Sequence, residues 1–82
     1  MNDKIDKMCG EVAYLFDQIL SVSVTESQYQ QPLNSFGIDS LDYLDFVYIL
    51  EEKYNLRLKT GDIVWKNATV YKIAEKIANT MD

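Results

Sequence analysis

Residues 36–54 read FGIDSLDYLDFVYILEEKY, from Phe36 to Tyr54. Within this stretch Phe46, Val47, Ile49, Leu50 and Tyr54 recur at helical spacing, which predicts a helix from Asp39 to about Tyr54. Asp39 is the natural N-cap, a side-chain acceptor for the free amides of the first turn. Asp42, three residues on, completes a pair resembling a capping box. Both acids also suit the positive end of the helix dipole. Ser40 is left over. At the first helical position its hydroxyl projects outward beside an exposed Leu41, and Gly37 lets the chain turn tightly just before it. Such a serine admits three readings: part of the cap, a nucleophile, or a point of attachment.

Working outward, Ile5, Met8, Val12, Leu15, Phe16 and Ile19 form one stripe of an amphipathic helix from about Asp3 to Leu20. Residues 21–38 hold serines, glutamines, Pro32 and Gly37, pinned by Leu33 and Phe36. That connection exceeds the ~12–15 residues usual for a structureless loop, so it is expected to be functional or locally packed. Ile63, Val64 and Trp65 allow a short third helix or turn within Thr60 to Lys66. Thr69 is placed to cap a last helix whose Val70, Ile73, Ala74, Ile77 and Met81 make another stripe. Strand-like alternation is confined to Asn55–Lys59. The expected fold is all-α: a small four-helix bundle of three longer helices and a short third, with a long loop between the first two. Residues 1–82 are expected to form a single domain, since 82 residues suffice for only one modest core.

The net charge of −5 is unevenly spread. Residues 1–38 carry five acids and two bases, and residues 53–82 three acids and six bases. Residues 39–52 carry five acids (Asp39, Asp42, Asp45, Glu51, Glu52) and no base. This segment repels phosphates, which argues against a nucleic-acid partner and for a basic protein surface. No apolar run approaches the ~18 residues of a membrane span, so membrane insertion is not expected. The N-terminal residues lack a signal core, and the lone Cys9 fits a reducing cytoplasm. Cys9 reads as a small helix-face residue rather than a reactive thiol. Asn67-Ala68-Thr69 matches a glycosylation acceptor by chance.

Catalytic and metal chemistry find little support. The chain has no histidine, the commonest general base. It has no cysteine–histidine cluster for zinc or iron. Asp39, Asp42 and Asp45 lie at helical spacing without the glycine of a calcium loop. The three glycines are scattered at 10, 37 and 61, so no phosphate-cradling loop exists. Nothing here activates Ser40 as a self-sufficient nucleophile, and neither a catalytic residue nor a metal site is expected.

Gly37-Ile38-Asp39-Ser40-Leu41 resembles the GxDSL motif of acyl carrier proteins. Pro32-Leu33 and Phe36 before it, and Asp42, Asp45-Phe46-Val47 and Leu50-Glu51-Glu52-Lys53-Tyr54 after it, extend the resemblance over nearly all of the chain. It implies that Ser40 bears a covalent 4′-phosphopantetheine arm, delivered from coenzyme A by a phosphopantetheinyl transferase that supplies the base and metal. The arm's thiol would hold acyl groups as thioesters. The resemblance further implies that Asp39, Leu41, Asp42, Asp45, Tyr48, Glu51 and Glu52, with Trp65, meet acyl-processing synthase enzymes through basic docking surfaces. Phe46, Leu50, Leu58, Ile63 and Ile73 are the implied lining of an acyl pocket. Trp65 is expected to pack against the second and third helices.

Two departures stand out against fatty-acid carriers. Thr60–Lys66 has one acid, Asp62, where the third helix of many relatives has several. Tyr48 stands where the docking face usually has a medium apolar residue. The expectation is a stand-alone, monomeric, cytoplasmic acyl carrier of a dissociated fatty-acid, polyketide or specialised acyl pathway. The alternatives are a peptidyl or aminoacyl carrier, against which Asp39 and the acidic helix argue, and a carrier-like bundle with only a structural or regulatory role.

Overall fold

The computed structural model describes residues 3–58 and 65–80. Among them are three α-helices, α1 (Asp3–Leu20), α2 (Ser40–Tyr54) and α3 (Val70–Thr80). Short 3-10 turns form at Glu26–Gln28, Leu33–Phe36 and Trp65–Asn67. The molecule is a small all-α bundle, as the helical stripes predict. The expected short third helix lies mostly outside the described residues, and Trp65–Asn67 forms a 3-10 turn at its end. Residues 56–58 adopt no strand. No helix among the described residues is long and apolar enough to cross a membrane.

The apolar stripe of α1 is the wall on which the bundle is built. Ile5, Met8, Val12 and Phe16 are buried, as are the small Cys9 and Ala13 beside them. Leu15 and Ile19 are only half-buried. Burial, then the charge of Asp6, raises the Cys9 pKa, which keeps the thiol protonated and unreactive. Asp3 and Asp6 face the positive end of the α1 dipole. At the other end Ser21 takes a left-handed φ of 57° and donates its amide to the Asp17 carbonyl at 2.9 Å.

α1 packs chiefly on α3, whose Val70, Ile73, Ala74, Ile77 and Ala78 are buried. Thr69 caps α3 as expected: its Oγ1 accepts the Lys72 amide at 3.0 Å. Another first-turn amide, that of Tyr71, donates to the Tyr29 carbonyl at 2.9 Å. The long connection thus satisfies a helix end as well as linking α1 to α2. It is locally packed. Leu33 is fully buried and its amide donates to the Ala68 carbonyl at 2.9 Å. Phe36 meets Phe16 edge-on at 6.2 Å between centroids, and Phe16 meets Phe46 likewise at 5.1 Å. Phe16 therefore joins α1, the connection and α2 in one core.

On α2, Phe46, Val47 and Leu50 are buried and Tyr54 is half-buried. Ile49, expected inward, is exposed, and Tyr43 is buried in the stripe instead. Helical phase explains the exchange: Tyr43 lies three, four and seven residues before the buried Phe46, Val47 and Leu50, and its ring packs on Trp65 at 5.0 Å between centroids. α2 ends at Asn55, which is left-handed at φ 52°. The Leu56 amide then closes back on the Glu51 carbonyl at 3.2 Å, a Schellman-type stop.

Candidate functional site

Gly37 sets the approach to α2. Its φ of 83° is left-handed, a turn that a side chain would strain. Asp39 follows in extended conformation as the N-cap. Its Oδ1 accepts the Asp42 amide at 2.9 Å, and Asp42 Oδ2 accepts the Asp39 amide at 3.4 Å. The reciprocal cap predicted from the two aspartates is present. Ser40 takes no part in it. Its side chain is exposed, and its hydroxyl has no hydrogen-bond partner among the described residues.

The cap also leaves something open. Ser40 and Leu41 are the first two helical residues, whose amides have no intrahelical acceptor, and no described group accepts from them. A hydroxyl in solvent beside two free amides at a positive helix end suits an attached phosphodiester anion. The residues present fit a phosphopantetheine group at this position.

Down the outer side of α2 the expected face divides into two kinds of residue. Leu41 is 69% and Tyr48 61% exposed, with Asp45 and Glu52 exposed beside them. Leu44, 47% exposed, belongs to the same row but is absent from the sequence reading; its spacing of three from Leu41 and four from Tyr48 was the available signal. The Tyr48 phenol pKa is raised, first by a hydrogen bond with Glu52 and then by its charge. Asp42 and Glu51 are half-buried and bonded inward. Asp42 serves the cap, and Glu51 Oε2 accepts the Leu58 amide at 2.8 Å. An open depression of about 510 Å³ lies at the far end of this face, between Tyr48, Glu51, Glu52, Asn55, Leu56 and Arg57.

Trp65 is half-buried against Tyr43, which lies one turn after Ser40. Of the five residues expected to line an acyl pocket, Phe46, Leu50 and Ile73 have no exposure and Leu58 has 6%. All four belong to the one buried core cluster. Ile63 lies outside the described residues.

A family model described as the phosphopantetheine attachment site matches residues 11–77, a span that includes Ser40. No curated protein and no solved structure matches the chain. Family members attach 4′-phosphopantetheine covalently and carry it without catalytic machinery of their own. The match covers well over half of the 82 residues, and the chain belongs to the phosphopantetheine-attachment family, that of the acyl carrier proteins, as a carrier of covalent 4′-phosphopantetheine.

Proposed function

We propose that residues 1–82 act as one acyl carrier domain with the arm on Ser40, serving a dissociated fatty-acid, polyketide or specialised acyl pathway. The observation that carries this reading is the exposed Ser40 hydroxyl, unbonded among the described residues, at a helix start capped by Asp39 and Asp42. When bound, the arm supplies a terminal thiol that holds acyl groups as thioesters. The Ser40 and Leu41 amides hold the phosphodiester charge at the α2 N-terminus. The free Cys9 thiol supports a reducing, cytoplasmic setting.

Leu41, Leu44 and Tyr48 give partners an apolar row, and Asp45 and Glu52 flank it with charge. Such a surface suits a phosphopantetheinyl transferase and successive acyl-processing enzymes with basic docking sites, because exposed pairs form and release quickly. Asp39, Asp42 and Glu51 contribute their charge to the same field while their bonds hold α2 in shape. Trp65 borders the face from the far side of Tyr43. Phe46, Leu50, Leu58, Ile63 and Ile73 are the route by which the bundle interior opens to shelter part of an acyl chain.

The rate of arm transfer from coenzyme A tests this reading. Asp45→Lys with Glu52→Lys is expected to slow loading by about tenfold or more, and added salt to slow the wild type, because a ~10 Å Debye length at 0.1 M screens exposed charge pairs. Loading indifferent to both changes overturns the docking role of α2.

A further inference from the structure

Tyr43 follows Ser40 by three residues, a rise of about 4.5 Å along α2. Its side chain is buried, 4% exposed, and burial raises its pKa. A buried phenol ordinarily finds a hydrogen-bond partner. The Tyr43 hydroxyl has none among the described residues. Trp65 lies against this ring at 5.0 Å between centroids and 39° between planes. It is the one tryptophan of the chain and is half-buried. Its indole N–H likewise donates to no described group.

This aromatic pair is tied to the chain on both sides of Ser40. After the serine, Tyr43 is part of α2 itself. Before it, the Leu33–Phe36 turn, which leads through Gly37 to the serine, packs on the Trp65–Asn67 turn. The Leu33 amide donates to the Ala68 carbonyl at 2.9 Å, and the Ala68 amide to the Trp65 carbonyl at 3.2 Å. Leu33 and Ala68 have no exposure, so the indole stands on backbone anchored in the core. Tyr43 and Trp65 together offer apolar ring surface and two unused donors, an O–H and an N–H, with no charge.

We propose that Tyr43 and Trp65 form a resting site for the neutral part of the chain's own phosphopantetheine arm, an inference that rests on Ser40 as the point of attachment. The tether and the chemistry of the pair together identify the occupant. From its root the arm runs through a phosphodiester, a gem-dimethyl carbon, a hydroxyl and two amides to the thiol. The gem-dimethyl group is its apolar part, close to the root, and suits the indole surface. The hydroxyl and amide carbonyls beyond it accept from the Tyr43 and Trp65 donors. An uncharged aromatic pair gives the phosphodiester no partner, so that group stays with the first amides of α2. A free molecule gives up translational freedom to settle on so small a surface. The arm is already held beside it, so weak contacts suffice, and the same weakness lets a partner enzyme draw the arm away.

Comparison of the chain before and after arm attachment tests this, with intact mass confirming the loaded form. Because Trp65 is the one tryptophan, its emission reports this place alone, and loading is expected to reduce its quenching by acrylamide. In the loaded chain the two gem-dimethyl NMR signals are expected upfield of their positions in free phosphopantetheine, moved by the ring currents. Nuclear Overhauser contacts are expected between those methyls and the indole. Added sodium chloride is expected to leave the methyl positions in place, since salt screens charge and this contact has none. Trp65→Leu is expected to return the methyls toward their free positions. The wild-type comparison needs no substitution, so it decides the matter even if Trp65→Leu does not fold. Methyls at their free positions in the loaded wild type, or Trp65 quenching unchanged by loading, overturn the proposal and leave Ser40 standing as the attachment point. Methyls that stay upfield in folded Trp65→Leu overturn it too. A chain that takes no arm at all overturns both readings.

Discussion

Asp39 and Asp42 hold each other's backbone: the Asp42 amide donates to Asp39 Oδ1 at 2.9 Å, and the Asp39 amide to Asp42 Oδ2 at 3.4 Å. This closed pair frees the serine between them from structural duty. Asp39→Ala is expected to cost about 0.5–2 kcal/mol, the usual loss for an N-cap. Ser40→Ala is expected to stay within about 0.5 kcal/mol of the wild type, as surface changes do. Thermal denaturation of the two variants compares them directly. A Ser40→Ala chain that melts as low as Asp39→Ala returns the hydroxyl to the cap.

Glu51 and Glu52 are neighbours in sequence with different work. Glu51 Oε2 takes the part-buried Leu58 amide at 2.8 Å, whereas Glu52 is exposed beside Tyr48. Removing an acceptor from a partly buried donor costs about 1–3 kcal/mol, and that is the expected loss for Glu51→Ala. Glu52→Ala is expected to fall within about 0.5 kcal/mol of the wild type. Urea denaturation separates them, and equal losses contradict the assignment.

Alkaline pH reads the tyrosines. The phenol pKa values of Tyr29, Tyr43 and Tyr54 are raised first by burial, and that of Tyr48 first by its hydrogen bond with Glu52. Above the ordinary value of about 10 the unfolded chain loses phenolic protons that the folded chain keeps. Their contribution to stability is therefore complete below pH ~10 and is lost as pH rises through the higher folded values. Near-ultraviolet titration is expected to show phenolate appearing later in the folded chain than in the denatured one. Coincident curves contradict the raised values.

The helices and the cap were legible because each rests on local chemistry. The α1 stripe at Ile5, Met8, Val12 and Phe16, the Asp39–Asp42 pair and Thr69 at α3 all need only neighbours within about one turn. What the sequence hid depends on distant contacts. Nothing near Glu51 in the chain announces that its carboxylate is taken by Leu58. The inward place of Tyr43 follows from its spacing of three, four and seven from Phe46, Val47 and Leu50, but its packing on the Trp65 ring, more than twenty positions away, is a contact no local pattern announces. The long connection was expected to be packed, but its hydrogen bond from Tyr71 to Tyr29 comes from topology. At the candidate site, what was legible is that the Asp39–Asp42 cap does not need Ser40.

The most direct measurement of the central claim is where the arm goes. After incubation with coenzyme A and a broad-range phosphopantetheinyl transferase, intact mass spectrometry is expected to show one phosphopantetheine added. Fragmentation is expected to place it on Ser40, not on Ser21, Ser23, Ser27 or Ser35, with no addition to Ser40→Ala. A wild-type chain that gains no arm, or a Ser40→Ala chain that gains one, contradicts the account.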